Sequence, residues 1–176
     1  MRKGKTMKNN IAFIIKQMAS ITKHAPVKKE LQKTVYLIEK KGVDLGYSYM
    51  LHFYGPYCAE LDHETAILNT NGVINFDYGQ YGHRMSIADE YEDIACDNLT
   101  ETQKQTVAEV INRYKSVSVS FLELLTTAIY VHDFTDAKTR QAISKNVKQI
   151  KGKKFNDCEI DKALDEFAFF GIPIPA

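Results

Sequence analysis

Residues 31–74 decide the fold of this chain, and they read LQKTVYLIEKKGVDLGYSYMLHFYGPYCAELDHETAILNTNGVI. Apolar residues recur at helical spacing over 31–38, and a basic pair and a glycine then end the helix. An aromatic run predicts a strand over 47–54, which a Gly-Pro pair ends. A second helix over 58–71 and a short strand over 73–76 follow. Helix, strand, helix and strand is the order of elements in a winged-helix core.

The flanking segments extend this core on both sides. Apolar residues over 11–21 predict a first helix, capped by Asn9 or Asn10. Residues 73–88 are rich in turn residues at their centre and predict a β-hairpin, the candidate wing, with its tip near Gly79–Gly82. Further helices are predicted after a capping box at Thr100, and the most apolar of them, over 119–131, is expected at the centre of a C-terminal helical layer.

The predicted fold class is therefore mainly α (α+β). A length of 176 residues and an apolar content of 44% suit one domain with a real core. The expected organisation has four parts, namely a flexible basic arm over 1–9, a single compact domain over 10–176, a winged-helix-like unit over 10–90 within it and a helical layer over 100–172.

The cellular compartment is predicted from what the chain contains. No apolar run approaches the roughly 20 residues of a membrane span, and the basic N-terminus is not followed by a secretory signal pattern. The three cysteines, Cys58, Cys96 and Cys158, are widely spaced, which is typical of a reducing compartment. We expect a cytoplasmic protein with no membrane partner.

Charge is sorted along the chain although the net charge is only +1. Residues 1–41 carry eleven basic and two acidic residues, and residues 42–101 carry one basic and eleven acidic residues. Residues 102–155 are basic again, and residues 156–176 are acidic. These segments either neutralise one another within the fold or form two faces of opposite potential that orient a partner.

Patterns that carry catalysis or bind cofactors are weak in this sequence. The five histidines have no metal-ligand spacing, and no glycine-rich phosphate loop is found. We therefore predict no metal, no cofactor and no catalytic residue. One enzymatic alternative remains, in which Cys58 at a helix N-terminus is a nucleophile and His52 or His63 is its base.

A winged helix also raises the alternative of a DNA-binding transcriptional regulator. In a standard docking the third helix of the fold enters the major groove. Here that helix is the one predicted over 58–71, which carries Glu60, Asp62 and Glu64 and no basic residue and would be repelled by the phosphates. DNA is therefore disfavoured as a partner. Any nucleic-acid contact would use basic residues outside this helix, namely Arg2, Lys3, Lys5, Lys8, Lys28 and Lys29.

Two motifs in the decisive stretch, LQKTVYLIEKKG and YSYMLHFYGPYCAEL, resemble the YwgA family of small bacterial and archaeal proteins. In a looser form the pattern resembles the Panacea domain of SocA-type antitoxins. LELLTTAIYV and the Lys-rich VKQIKGKKFNDCEIDKALDEF are similar to the family's C-terminal segments, so the resemblance covers about residues 10–172. Thr34 and Cys58 depart from the pattern, because the family usually has Leu and Ser there.

The resemblance implies little chemistry, since the related antitoxins act by binding other proteins. We therefore expect a non-enzymatic regulatory or antitoxin-like protein that binds another protein, such as a toxin or a defence or regulatory protein. A homodimer is left open. The predicted partner-binding residues surround the Gly-Pro pair and the preceding helix, namely Lys33, Tyr36, Tyr54, Gly55, Pro56 and Tyr57. Their alternative role is structural, as a tight turn wedged against a helix.

Overall fold

The computed structural model describes residues 6–79, 82–91, 93–96 and 98–175. It confirms a mainly helical α+β protein with small strand pairs. The elements in chain order are β1 (Thr6–Lys8), α1 (Asn10–Thr22), α2 (Lys28–Lys40), β2 (Met50–His52), β3 (Gly55–Tyr57), α3 (Ala59–Thr70), β4 (Ile74–Gly79), β5 (Gly82–Ile87), β6 (Asp93–Ala95), α4 (Glu101–Tyr114), α5 (Val119–Phe134), α6 (Arg140–Lys151), α7 (Asp157–Asp165) and a 3₁₀ helix (Glu166–Phe170).

The described residues divide into two compact units. The first unit draws on Met1–Ser48 and Cys58–Ser116, and the second draws on Tyr49–Tyr57 and Val117–Ala176. Helix α4 belongs to the first unit because it packs against α1 and α2, although the sequence pattern grouped it with the later helices. The short β2–β3 segment belongs to the second unit because β3 packs against α5. A single domain over 10–176 stays a prediction.

Helix α2 is the central element of the first unit. Every residue over 31–38 is buried, and α4 and β5 both pack against the helix. The sequence pattern predicted one buried face with Lys33 off it. That expectation was wrong for Lys33, which is buried together with Gln32 and Thr34 because the helix is covered on more than one side.

The β-hairpin predicted over 73–88 is confirmed, but the strand predicted over 47–54 does not pair with it. Strands β4 and β5 form an antiparallel hairpin that closes at the pair Gly79 and Gly82. Of the predicted strand over 47–54, only Met50–His52 is a strand, and it pairs with Gly55–Tyr57. Gly55 and Pro56 therefore lie inside a strand instead of ending one. A winged-helix unit is not confirmed.

Helix starts follow the local sequence closely, with one exception. The Asn9 side chain accepts a hydrogen bond from the Ala12 N–H at 2.8 Å and caps α1. Thr100 opens α4 with the predicted capping box. At α6 the cap is not the preceding acidic residue, Asp136, but Thr139, whose side chain accepts a hydrogen bond from the Ala142 N–H at 3.2 Å.

The second unit is built around α5, as its apolar sequence predicts. All residues over 122–129 are buried, and α6, α7 and β3 pack against this helix. One of the buried residues is Glu123, the only acidic residue in the helix before Asp133. A carboxylate in such a position needs partners, because burying an unpaired charge is very unfavourable.

Candidate protein-binding site

The β2–β3 hairpin has a tight geometry that accounts for its Gly-Pro pair. Phe53 and Tyr54 form the turn between the paired residues His52 and Gly55. Gly55 has φ of +86°, a left-handed conformation that favours glycine. The next pair joins Leu51 and Pro56, and in an antiparallel ladder it is a pair that exchanges no hydrogen bonds. The missing N–H of proline therefore costs nothing here.

The two strands of this hairpin differ in how deeply their residues are buried. Gly55 and Pro56 are buried in the second unit. The four large apolar side chains of β2 and the turn are exposed, with relative exposures of 74% for Met50, 37% for Leu51, 78% for Phe53 and 48% for Tyr54. A run of such side chains within one short segment is typical of an interaction surface.

An ion cluster, formed by Glu123, Lys151 and Lys154, contacts the turn of this hairpin. The Glu123 carboxylate, on α5, accepts hydrogen bonds from the Lys151 ammonium at 2.9 Å and from the Lys154 ammonium at 2.8 and 2.9 Å. Lys151 also donates to the Phe53 carbonyl oxygen at 2.9 Å. The Lys154 ammonium lies 5.8 Å from the centre of the Tyr54 ring, within cation–π range. The two turn residues are thus each held by a lysine of the cluster.

The charged groups of the cluster interact strongly with one another. The Glu123 and Lys151 side chains are only 1% and 3% exposed. Burial by itself raises the pKa of Glu123, but the hydrogen bonds from Lys154 and Lys151 outweigh burial, so the pKa lies below its ordinary value. The carboxylate is therefore ionised at neutral pH, and the buried Glu123 and Lys151 ions depend on their partners in the cluster to offset their lost hydration.

Glu123 is the functional residue that reasoning from the sequence missed. The segment LELL was interpreted only as part of an apolar core helix. A lone acidic residue between apolar neighbours, followed about thirty residues later by the run Lys151, Lys153 and Lys154, was the available signal. A buried carboxylate needs cationic partners, and two lysines of that run, Lys151 and Lys154, supply them.

The predicted partner-binding residues fall into both units. Tyr54 is exposed, Tyr57 is half-buried, and Gly55 and Pro56 are buried, all in the second unit. Lys33 and Tyr36 belong to the first unit and are buried on α2, where the Lys40 ammonium lies 5.3 Å from the centre of the Tyr36 ring. Their partner-binding role stays a prediction, and only Tyr54 offers a widely exposed side chain.

The two halves of the sequence motif meet through Gln32. Its side-chain amide donates to the Cys58 carbonyl oxygen at 2.8 Å, and its side-chain oxygen accepts from the Cys58 N–H at 3.0 Å. This paired clamp holds the backbone directly after β3, at the start of α3. It explains why LQK and YGPYC occur together, and the buried position of Gln32 makes both bonds costly to lose.

Cys58 itself does not sit in an environment that favours a nucleophile. It caps α3, with its sulfur accepting from the Leu61 N–H at 3.4 Å and donating to Glu60 at 3.1 Å. Burial raises the pKa of the thiol to about 11, and the hydrogen bond to Glu60 adds to this effect. Burial and Glu60 therefore favour the protonated thiol of Cys58, and the nucleophile alternative stays a prediction.

The candidate nucleic-acid residues divide into described and undescribed ones. Arg2, Lys3 and Lys5 lie outside the described residues, and Lys8 is exposed on β1. Lys28 is paired with Asp62 of α3 at 2.6 Å, so this lysine faces an acidic partner within the first unit. Lys29 is half-buried on α2.

Glu64, a further acidic residue of α3, also takes part in hydrogen bonds. It accepts hydrogen bonds from the Tyr47 hydroxyl and from the Asn9 side-chain amide. Burial and this carboxylate together raise the pKa of Tyr47, so the phenol stays protonated. Glu64 therefore ties the loop before β2 and the cap of α1 to α3, which is a structural role.

In the part of the chain that the structure describes, no helix has the length and apolar content needed to cross a bilayer. The same residues hold no group of three or more His, Cys, Asp or Glu side chains placed to bind a metal ion.

Comparison with known proteins gives one informative match. The chain is 28% identical over 142 residues to a protein of Bacillus subtilis (strain 168) that is described as the uncharacterized protein YwgA. The match covers 78% of this chain and 82% of that protein. No protein-family model matches the chain.

Proposed function

From the premise that the chain belongs to the YwgA family, we propose that it works by binding another protein through the tip of the β2–β3 hairpin. The observation that carries this proposal is that an ion cluster holds the turn of a hairpin with four exposed apolar side chains, which together are called the tip of the β2–β3 hairpin. Met50, Leu51, Phe53 and Tyr54 are exposed, while Glu123, Lys151 and Lys154 hold the turn backbone and the Tyr54 ring.

The energetics of exposure support a binding role. Fully burying one large apolar side chain is worth roughly 1.5–3 kcal/mol, so the exposed tip leaves several kcal/mol unused in the isolated chain. A partner that covers the tip would recover this free energy. Aromatic residues such as Phe53 and Tyr54 are also typical of the few residues that dominate binding energy at interfaces.

The anchoring of the turn supports the same role. A turn that only connects two strands has no need of a lysine bonded to its carbonyl oxygen and another over its ring. Holding the tip in one conformation reduces the ordering cost on association, which raises affinity without adding contacts. We propose on this basis a non-enzymatic, regulatory or antitoxin-like protein of the cytoplasm, a role that the resemblance to the Panacea domain of SocA-type antitoxins also favours.

The test uses two phenylalanines of the second unit. Tagged wild-type protein, Phe53→Ser and Phe134→Ser are purified from the native host under mild conditions, and stoichiometric partners are quantified by mass spectrometry. Phe134 is the matched control, because it is also largely exposed, at 62%, but lies at the end of α5. We expect wild type and Phe134→Ser to recover the same partner, and Phe53→Ser to lose it by at least about 10-fold. Equal recovery by all three proteins, or no stoichiometric partner for wild type, would refute the proposal.

A further inference from the structure

The charges around the hairpin tip are as distinctive as its apolar side chains. Residues 137–155, which comprise α6 and its flanks, carry seven basic residues and no acidic residue. The segment 49–57 carries no Asp, Glu, Lys or Arg. The charge at the tip therefore comes from the residues packed against it in the second unit.

Acidic residues of α7 neutralise the far side of α6. Arg140 pairs with Asp161 at 3.5 Å and with Asp165 at 2.9 Å, and Lys148 pairs with Asp157. This network accounts for two of the seven basic residues and uses three carboxylates. It leaves α6 close to neutral along the surface that faces α7.

The end of α6 nearest the tip remains positive. Lys151 and Lys154 share the single carboxylate of Glu123, and Lys153, between them, is exposed and makes no ion pair among the residues the structure describes. Three ammonium groups against one carboxylate leave a net charge of about +2 beside the tip. The Lys154 side chain, which lies over the Tyr54 ring, keeps 41% of its surface exposed.

We propose that the occupant of this surface is a segment of another protein in which large apolar side chains stand next to Asp or Glu residues. The inference rests on the proposed protein-binding function and adds the chemistry of the partner. The apolar side chains would cover Phe53, Met50 and Leu51, and the carboxylates would meet Lys153 and the exposed part of Lys154. Charge complementarity at the rim of an apolar contact speeds association and selects against basic partners.

The observations favour a protein segment over an anionic membrane surface. Each basic residue near an anionic membrane contributes only about 1 kcal/mol, and Glu123 cancels part of that attraction here. The tip also projects four apolar side chains from one short turn, which is a small area for insertion into a bilayer. A second copy of this chain is a further occupant to distinguish, because residues 88–101 contain Asp89, Glu90, Asp93 and Tyr91.

The experiment selects ligands without assuming their sequence. A random dodecapeptide library displayed on phage is selected against immobilised full-length protein, and the selected pool is compared with a pool selected against Phe53→Ser. We expect peptides that depend on Phe53, with acidic residues exceeding basic residues by at least about 3-fold next to Phe, Trp, Leu or Met. The most frequent peptide is then synthesised and its affinity is measured by fluorescence anisotropy.

Charge reversal on that peptide tests the role of the lysines. Lys153→Glu should weaken binding by about 5-fold at low salt, and the difference should shrink as salt is raised. Lys162→Glu, an exposed lysine of α7, is the matched control and should leave affinity unchanged. Phe53-dependent peptides without acidic enrichment would overturn the partner class while leaving the proposed function intact. Absence of any Phe53-dependent peptide would overturn both.

Two additional measurements separate the other occupants. Sedimentation of the protein with vesicles of phosphatidylcholine and 30% phosphatidylserine should show no Phe53-dependent binding. Analytical ultracentrifugation of the protein alone should show no association that Phe53→Ser abolishes. Binding to the vesicles would assign the tip to a membrane surface, and Phe53-dependent dimerisation would assign it to a second copy, so either result contradicts the proposed partner.

Discussion

The two antiparallel hairpins of this protein are held in place by opposite kinds of interaction. The β4–β5 hairpin of the first unit has six-residue strands, buries Ile74 and Met85, and donates the Met85 N–H to the Pro26 carbonyl oxygen at 2.9 Å. The β2–β3 hairpin of the second unit has three-residue strands and exposes every residue of β2. A two-stranded hairpin alone is marginal in water, so each needs outside support.

The two hairpins are supported by different interactions, because their apolar side chains are buried to different extents. Ile74 and Met85 of β4–β5 are buried and stabilise that hairpin by burial. Every residue of β2 is exposed, so the burial of the β2–β3 hairpin comes from β3, which packs against α5. The charges of Glu123, Lys151 and Lys154 provide the rest of the support. A structure that uses buried charges to present an apolar tip is consistent with selection for binding at some expense of stability.

The largest effect is expected from removing the shared carboxylate. Glu123→Ala leaves the buried Lys151 ammonium without its counterion, which typically costs about 3–5 kcal/mol. The free energy of unfolding is measured by urea denaturation, with far-UV circular dichroism as the signal. Glu101→Ala is the control, because Glu101 also pairs with a lysine, Lys104 at 2.6 Å, but on the surface. The control should change stability little, and equal losses in the two variants would contradict the view that burial makes the cluster strong.

The second-largest effect is expected from removing the two hydrogen bonds between the Gln32 side chain and the Cys58 backbone. Gln32→Ala removes both hydrogen bonds to the Cys58 backbone. The Cys58 carbonyl oxygen still accepts from the Asp62 N–H at 3.4 Å, but the buried Cys58 N–H loses its partner, at about 1–3 kcal/mol. Together with the loss of the second hydrogen bond, the unfolding free energy should fall by about 2–4 kcal/mol. Gln103→Ala, which removes the glutamine of an exposed capping box, should cost only about 1 kcal/mol. A loss for Gln32→Ala no larger than this control would show that water replaces the clamp.

These two sites also show what the sequence could and could not predict. Periodicity and capping predicted most helices and the β4–β5 hairpin, because those features depend on neighbouring residues. The burial of Lys33 and the pairing of Glu123 with Lys151 depend on which helices pack around α2 and α5, and no local pattern encodes that. The β2–β3 hairpin was missed for a related reason. The run over 47–54 is rich in residues of high strand propensity throughout, so the turn formed by its last two residues, Phe53 and Tyr54, has no separate signal.

The candidate site was predicted in part for the same reason. The motif Tyr54, Gly55, Pro56 and Tyr57 identified the right turn, yet the most exposed side chains lie just before the motif, on Met50 of β2 and on Phe53 of the turn. Burial of a residue depends on which face of the hairpin meets α5, and that choice requires the tertiary structure. Lys33 and Tyr36 were predicted because they belong to the same sequence motif, but both side chains are buried on α2.

A smaller effect is expected in the pH dependence of stability. The folded pKa of Glu123 lies below its ordinary value of 4.5, so its stabilising contribution is present above that value and is lost as the pH falls through the folded pKa. Glu30 on α2 has the opposite shift, because burial raises its pKa, although the charge of His24, the Val27 N–H and the charge of Arg84 lower it.

The measurement compares two neutral variants with wild type. Unfolding free energies are determined between pH 7 and pH 3 for wild type, Glu123→Gln and Glu30→Gln. The advantage of wild type over Glu123→Gln should shrink as the pH falls, whereas wild type should gain relative to Glu30→Gln over the same range. Parallel profiles for the two variants would contradict the opposite signs of the two shifts.

The smallest stability effect is expected at the residue that matters most for the proposed function. Phe53→Ser removes a side chain that is 78% exposed, so the free energy of unfolding should change by no more than about 0.5 kcal/mol. Met85→Ala in the other hairpin should cost about 2–5 kcal/mol, because that side chain is fully buried. Both are measured by urea denaturation, and partner binding is measured on the same samples. We expect Met85→Ala to lose stability and keep binding while it is folded, and Phe53→Ser to keep stability and lose binding. A large stability loss for Phe53→Ser would mean that the turn packs within the fold, and the apolar tip would then be a structural element and not a binding surface.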